Sequence, residues 1–152
     1  MKAVVQRVSS ARVLVDGRVT GQIGTGLLVL LGVAKDDTEQ DLAYLVDKVV
    51  HLRIFEDDQQ KMNRSALDVR GRLLVVSQFT LLADTRGGRR PSFFDAMPPE
   101  PAAAMVHDFA ARAASHGLDV EQGVFGAMMD VELTNAGPVT IILDSADGRK
   151  KQ

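Results

Sequence analysis

Residues 27–33 read LLVLLGV, an apolar run that only Gly32 interrupts. A strand buried on both faces explains such a run better than a helix of seven residues. A second run, LLVVSQF at residues 73–79, has the same character and predicts another buried strand. These two strands are the predicted centre of a sheet.

The residues before this centre predict a hairpin. Residues 3–8, AVVQRV, are rich in β-branched side chains, and Val13 and Val19 continue that character. Asp16 and Gly17 lie between them, and an Asp-Gly pair flanked by apolar residues is a strong signal for a two-residue hairpin turn. We therefore expect two antiparallel strands at the start of the chain.

Two helices are predicted between and after the buried strands. Residues 38–53 place apolar side chains at helical spacing, and Thr38 with Asp41 resembles a capping box at the start. A second helix is expected over residues 102–116, after a proline-rich start, with Gly117 as its terminating residue.

The end of the chain is again β in character. Residues 129–134 alternate apolar and polar side chains, residues 135–138 predict a tight hairpin turn, and residues 139–143 form another apolar run. The order of elements predicts an α+β domain in which two helices cover a mostly antiparallel sheet. We expect one domain over residues 1–147 and a polar tail over 148–152.

Composition excludes several classes of function. The chain of 152 residues has no cysteine, which excludes disulfides and thiolate chemistry, and its 18 basic and 20 acidic residues argue against a globally basic nucleic-acid binder. Basic and acidic segments nevertheless alternate, with an acidic segment at 36–59 and a basic one at 60–98. No signal peptide or membrane span is evident, so we expect a cytoplasmic protein.

The sequence offers little for metal or histidine chemistry. The three histidines are His51, His107 and His116, and the last two are not at a ligand spacing. Residues 21–26 are glycine-rich but match no phosphate-binding loop. We expect no cofactor and no metal. A hydrolase built on this chain would rely on backbone groups, a hydroxyl or the substrate itself.

Polar residues cluster where the second buried strand ends. Ser77, Gln78, Phe79 and Thr80 bring two hydroxyls, an amide and several backbone N–H groups to a rigid strand end. Such donors can bind an oxyanion. The alternative is a polar strand terminus with no catalytic role.

Gly137 and Pro138 form the second candidate motif. A plain hairpin turn accounts for them. A cis bond would instead aim main-chain oxygens into a pocket, since glycine has no Cβ to prevent close approach.

A basic loop is the third candidate. Arg86, Arg89 and Arg90 precede Phe93 and Phe94, and guanidinium groups near aromatic rings suit phosphate contact and base stacking. A solvated loop without a partner is the alternative.

The first two motifs together resemble the signatures of the D-aminoacyl-tRNA deacylases. Residues 77–81, SQFTL, and 135–140, NAGPVT, are the matching segments, and the resemblance runs in order along essentially the whole chain. One position departs, because the family usually has Asp where this chain has Ala136.

The resemblance implies a homodimer of small barrel-like α+β subunits that hydrolyse the ester joining a D-amino acid to the 3′ adenosine of tRNA. Some members also remove glycine from mischarged tRNA. Gly137 and Pro138 are then the chiral filter, joined by a cis bond and inserted into the partner's pocket. The remaining implied site residues are Ser77, Gln78, Phe79 and Thr80 around the adenosine and ester, with Phe125 and Met129 at the adenine.

Two mechanisms and three functions stay open at this point. A positioned water, helped by backbone N–H groups near Phe79 and Thr80 and by the ribose 2′-hydroxyl, is favoured over a Thr80 nucleophile, because no base is evident to activate that hydroxyl. An inert RNA-binding module and a small-molecule-binding barrel are the alternatives to a deacylase.

Overall fold

The computed structural model describes residues 1–149. Its strands are β1 (Lys2–Val15), β2 (Arg18–Ile23), β3 (Gly26–Gly32), β4 (Phe55–Glu56), β5 (Met62–Arg64), β6 (Arg72–Ser77), β7 (Asp119–Gln122) and β8 (Asp130–Asp144). Its helices are α1 (Glu39–Val50), α2 (Pro99–Ser115) and α3 (Ala146–Arg149), with a 3-10 turn at Phe79–Leu82.

Strand β1 is the spine of the main sheet. It pairs antiparallel with β2, β3 and β8, and its fourteen residues are long enough to serve all three. The turn to β2 has positive φ at both Asp16 (50°) and Gly17 (76°), as a two-residue hairpin needs. The predicted hairpin is confirmed.

The sheet is mixed and nearly closed. Strand β3 pairs with β6, and β6 with β7, in parallel, so antiparallel pairing holds for only three of the five neighbouring pairs. Strands β2 and β7 also lie close together. A Cβ added to Gly21 of β2 would lie only 2.5 Å from the carbonyl oxygen of Gln122 in β7. The result is a barrel-like sheet with helices packed outside it, and β7 is a strand that the sequence pattern did not predict.

Both faces of β3 are buried, as its apolar run predicts. Leu27, Val29 and Leu31 face the main core, which they share with the apolar faces of α1 and α2. Leu28 points to the opposite face, in a smaller cluster with side chains from β1, β2 and β6. Phe109 of α2 is fully buried in the main core.

The helix predictions are confirmed with small shifts. Helix α1 starts after Thr38, whose backbone N–H and hydroxyl donate to Asp41 at 2.8 and 2.9 Å. Helix α2 begins at Pro99, three residues earlier than predicted, since proline is tolerated in a first turn. Gly117 follows α2 with φ of 99°.

The predicted hairpin turn at residues 135–138 is wrong. Residues 130–144 form one continuous strand, and both of its halves pair with β1: Asn135 lies opposite Val8, and Thr140 opposite Gln6. Residues 136–139 therefore form a bulge opposite Arg7. The pattern misled because a bulge and a hairpin both place glycine and proline between alternating segments.

The predicted polar tail begins within the last helix of the described chain. Residues 148 and 149 belong to α3, and Arg149 Nε donates to Asp41 Oδ1 at 2.9 Å, which ties this helix to α1. Residues 150–152 of the predicted tail lie outside the described residues. Within residues 1–149, no helix has the length and apolar character to cross a membrane.

Candidate active site

A cavity of about 400 Å³ opens where β3 and β6 end beside α2. This volume lies in the range of small-ligand sites. Its wall is almost entirely apolar, and Ser77 and Gln78 bring the polar side chains. The other lining residues are Leu31, Val33, Phe79, Phe93, Ala96, Met97, Pro98, Pro99, Ala102, Val106, Phe125 and Gly126.

The polar rim is held in place because the chain packs closely on β3 where β6 ends. The strand ends at Ser77, and the backbone N–H of Gln78 donates to the carbonyl oxygen of Leu31 at 2.8 Å. The chain then turns over Gly32, where a Cβ would lie 2.9 Å from the Gln78 carbonyl oxygen and 2.7 Å from Leu82 Cδ2. Glycine at position 32 lets the turn pack directly on β3.

The 3-10 turn carries Phe79 and Thr80, two of the four predicted catalytic residues. Gln78 Nε2 donates a short hydrogen bond to the hydroxyl of Thr80, and Thr80 itself is exposed, one residue from the lining residue Phe79. Within the described chain, the backbone N–H groups of Phe79 and Thr80 have no acceptor. Both N–H groups thus lack a partner within residues 1–149, in the turn next to the rim.

Aromatic rings form the sides of the cavity. Phe79 and Phe93 meet edge to face with centroids 5.0 Å apart, and Phe125 also lines the cavity. Met129 lies elsewhere: it packs against the smaller core cluster, next to Gly123. The structure therefore brings Phe125 to this cavity, but not Met129.

Sequence reasoning found the polar rim and Phe125 but missed most of the apolar wall. Ala96, Met97, Pro98 and Pro99 come from the end of the long loop and the start of α2. The run of prolines was a signal for the helix start, but nothing in the pattern showed that this start faces the strand ends.

Gly137 and Pro138 lie far from the cavity within one chain. Their peptide bond is cis, and both residues are exposed in the bulge opposite Arg7. Arg7 pairs with Leu27 at one end of β3, whereas the cavity lies at the other end, next to Leu31. One chain alone does not bring the two candidate motifs together.

Side-chain and main-chain hydrogen bonds hold the bulge in place. Asn135 Oδ1 accepts from the backbone N–H of Val139 at 2.9 Å, and Asn135 Nδ2 donates to Thr140 Oγ1 at 2.9 Å. Arg7 Nε donates to the carbonyl oxygen of Ala136, and Arg7 Nη1 to that of Ile54. The anchoring thus uses the side chain of Asn135 and only the backbone of Ala136.

The three arginines of the basic loop differ in their surroundings. Arg86 donates to Asp84 through Nε at 2.9 Å and Nη2 at 2.7 Å, and these bonds lower the pKa of Asp84 to about 2. Arg89 and Arg90 are exposed and make no ion pair within residues 1–149. Two of the three guanidinium groups are therefore free to bind phosphate.

No described residue lining the cavity carries a carboxylate, an imidazole or an ammonium group. The rings of His51 and His116 lie away from the cavity at the ends of α1 and α2, where they meet edge to face with centroids 5.5 Å apart. In the part of the chain that the structure describes, no group of three or more His, Cys, Asp or Glu side chains could hold a metal ion. Chemistry at this cavity would use hydroxyl, amide and backbone groups.

Comparisons with known proteins agree over almost the full length. The sequence model of the family described as "D-Tyr-tRNA(Tyr) deacylase" matches residues 4–144. A D-aminoacyl-tRNA deacylase of Roseiflexus castenholzii is 61% identical over 96% of this chain and 93% of its own. One of Thermus aquaticus is 55% identical over 97% of both chains.

Two solved structures share the fold. One, titled "c-Myc DNA Unwinding Element Binding Protein", is 42% identical, with a TM-score of 0.89 over 95% of this chain and 98% of its own. The other is titled "Structural Analysis of a probable eukaryotic D-amino acid tRNA deacylase". It is 18% identical, with a TM-score of 0.82 over 94% of this chain and 98% of its own, so it supports the fold alone.

Proposed function

The chain belongs to the D-Tyr-tRNA(Tyr) deacylase family of ester hydrolases, and from that premise we propose that it hydrolyses D-aminoacyl-tRNA to a free D-amino acid and tRNA. The observation that carries the proposal is the cavity at the end of β6. Its apolar and aromatic wall suits an adenine, and its single polar rim suits an ester.

Water is the proposed nucleophile. It attacks the ester carbonyl carbon, and the carbonyl oxygen takes up negative charge next to the backbone N–H groups of Phe79 and Thr80. The bond to the ribose 3′-oxygen then breaks, and the ribose 2′-hydroxyl relays a proton from the attacking water to that leaving oxygen. Because no carboxylate or imidazole lines the cavity, we assign the proton transfer to the substrate's own hydroxyl.

The rival mechanism uses Thr80 as a nucleophile. Its hydroxyl accepts a hydrogen bond from the amide of Gln78, and an amide cannot act as a base toward it. A threonine hydroxyl needs an adjacent base to become nucleophilic. The surroundings of Thr80 thus favour attack by water, with Ser77 and Gln78 in positioning roles.

Selection against L-amino acids is proposed to come from a second copy of the chain. The carbonyl oxygens of Gly137 and Pro138 would enter the partner's cavity and occupy the space that an L side chain needs. Their exposure supports this, as does their position at the end of the barrel away from the chain's own cavity. Rejection by a rigid backbone leaves D side chains unconstrained.

The same logic predicts that glycine, which has no side chain to clash, is also accepted. We propose that glycine mischarged on tRNA(Ala) is a second substrate. Phe125, which lines the cavity, would hold the adenine, and Arg86, Arg89 and Arg90 would bind tRNA phosphates. The expected place of action is the cytoplasm.

The test is deacylation of matched D-Tyr-tRNA and L-Tyr-tRNA by the purified protein in the presence of a chelator. Loss of the D-ester alone supports the proposed reaction and its chirality. Equal stability of both esters would refute the proposal. Repeating the assay with Gly-tRNA(Ala) tests the glycine activity separately.

A second candidate function is nucleic-acid binding without hydrolysis. The 42% identical structure has a title that names a DNA-binding protein, and Arg89 and Arg90 are unpaired within residues 1–149. Gly137→Ala separates the two functions. Gly137 has φ of 131°, and a Cβ there would lie 2.9 Å from Arg7 Nη2, so the change should distort the bulge and impair chiral hydrolysis. Binding of uncharged tRNA should stay unchanged.

A further inference from the structure

Phe94 is a large aromatic residue that does not line the cavity. Its side chain is 79% exposed, although its neighbour Phe93 lines the cavity. The Nζ of Lys35 lies 3.7 Å from the centroid of the Phe94 ring, within cation–π distance. The same ammonium pairs with Asp95 at 3.0 Å. The Lys35 ammonium therefore covers one face of the Phe94 ring, and Asp95 holds that ammonium in place.

The backbone fixes this pair at the edge of the cavity. The N–H of Lys35 donates to the carbonyl oxygen of Asp95 at 2.9 Å, and the N–H of Met97 donates to that of Val33 at 2.9 Å. Val33 and Met97 line the cavity, so Lys35 and Phe94 are each only one to three residues from its wall. Consecutive Cα atoms are about 3.8 Å apart, which keeps the ring close to the opening.

The Phe94 ring with the Lys35 ammonium on one face forms a platform whose chemistry suits a nucleobase. An exposed aromatic ring stacks with any base, and a cation on its other side is compatible with nearby phosphates. Arg89 and Arg90, earlier in the same loop, have no ion-pair partner within residues 1–149 and can follow a backbone of phosphates. Aromatic rings beside unpaired arginines are the usual components of single-strand binding sites.

We propose that Phe94, backed by Lys35, stacks on the base of the nucleotide that precedes the terminal adenosine of the tRNA 3′ end. This inference rests on the proposed function, because the adenosine must first occupy the cavity. The platform would let the enzyme hold its single-stranded substrate through a contact that does not read the amino acid. It gives Phe94 a role in binding tRNA and none in the hydrolytic step.

The test compares two substrates that share the reacting ester. One is D-Tyr-tRNA, and the other is 3′-O-D-tyrosyl-adenosine, which lacks the preceding nucleotide. Phe94→Ala is expected to lower kcat/KM for D-Tyr-tRNA by about 5- to 150-fold, the range for loss of one base–aromatic stack. It should leave hydrolysis of the adenosine ester unchanged. Phe94→Trp should retain activity on both substrates.

Val19→Ala is the matched control, because Val19 is an exposed apolar residue on β2. It should change neither rate. Equal losses of Phe94→Ala on both substrates, or no loss on tRNA, would overturn the platform. A shift of Phe94→Ala in its oligomeric state on gel filtration would also overturn it, since Phe94 would then belong to a subunit contact. If the wild-type protein hydrolyses neither D-ester, the proposed function itself has failed.

Discussion

The guanidinium of Arg7 holds the main chain at Ala136, with Nε 3.0 Å from the carbonyl oxygen, at the point where β8 bulges away from β1. The same side chain reaches the carbonyl oxygen of Ile54 at 2.8 Å. Arg7 thus links β1, the bulge and the segment after α1. The position of Gly137 and Pro138 depends on this link.

Arg7→Lys is expected to weaken selection against L-esters. A lysine ammonium is a point donor and cannot reproduce the planar fork that spans both carbonyl oxygens. We expect the D-over-L ratio of kcat/KM to fall about tenfold, the effect of losing about one hydrogen bond to a charged group. Arg18→Lys, in an exposed arginine of β2 that makes no ion pair within residues 1–149, is the control. An unchanged ratio in Arg7→Lys would contradict this role.

Gly32→Ala is expected to impair hydrolysis without unfolding the protein. The new Cβ would press on the Gln78 carbonyl oxygen and on Leu82, and would displace the turn that carries Thr80. Misplacement by about 1 Å can cost about a hundredfold in rate, so kcat should fall by at least about tenfold. Gly24→Ala, whose added Cβ would meet nothing within 4 Å apart from its own chain neighbours, should be neutral. Thermal unfolding of both variants shows whether the fold is kept.

Thr80→Ala separates the two mechanisms. If water is the nucleophile, the variant loses only a hydrogen bond with Gln78 and should keep kcat within about tenfold of wild type. If Thr80 forms a covalent intermediate, activity should be abolished. Single-turnover deacylation of D-Tyr-tRNA measures the difference, and accumulation of an acylated wild-type protein would refute attack by water.

The arginines of the basic loop should differ in the salt dependence of tRNA binding. Arg89→Gln and Arg90→Gln should each reduce the slope of log Kobs against log salt by about 0.7–0.9, the value for one phosphate contact. Arg86→Gln should reduce it less, because Asp84 already neutralises that guanidinium. Equal slopes for all three variants would show that the Asp84 pair opens on binding.

The lowered pKa of the Asp41 carboxylate predicts that the free energy of unfolding depends on pH. Burial alone would raise its pKa, but hydrogen bonds from Arg149 and Thr38 outweigh burial and hold the pKa well below the usual range. The native pKa is below the unfolded value of about 3.9, so the stabilisation is present above about pH 4 and is lost as the pH falls toward the native pKa.

Asp41→Asn should therefore reduce the free energy of unfolding by about 1–3 kcal/mol at neutral pH, as expected for an unsatisfied buried group. The difference from wild type should shrink between about pH 4 and pH 2. Urea unfolding at several pH values measures it. Asp58→Asn, in a carboxylate that is 93% exposed, should show no such trend, and a pH-independent deficit in Asp41→Asn would contradict the assignment.

Local signals predicted the elements of this fold well. Apolar runs identified β3 and β6, and the Asp16-Gly17 pair identified the first turn, because each depends only on neighbouring residues. Strand β7 was missed because its residues, DVEQ, have little apolar content, and its place is set by parallel pairing with β6.

The sequence did not predict which residues distant along the chain lie close together in the fold. The polar residues of the SQFTL segment were predicted to lie at a strand end, and the cavity is there. The resemblance places Met129 beside Phe125, yet Met129 lies in the connection just before β8 and packs against the smaller core cluster. The pattern at Gly137 predicts a turn instead of a bulge, because no local pattern shows that both flanking segments share one partner.

The spine strand also constrains the order in which the chain can be completed during synthesis. Lys2 pairs with Asp144, so β1 is synthesised long before the strand that covers its second edge. Until then, that edge presents unpaired N–H and C=O groups to other nascent chains. Closing a contact over so long a separation is slow, and the newborn protein is therefore most vulnerable to aggregation just before β8 emerges.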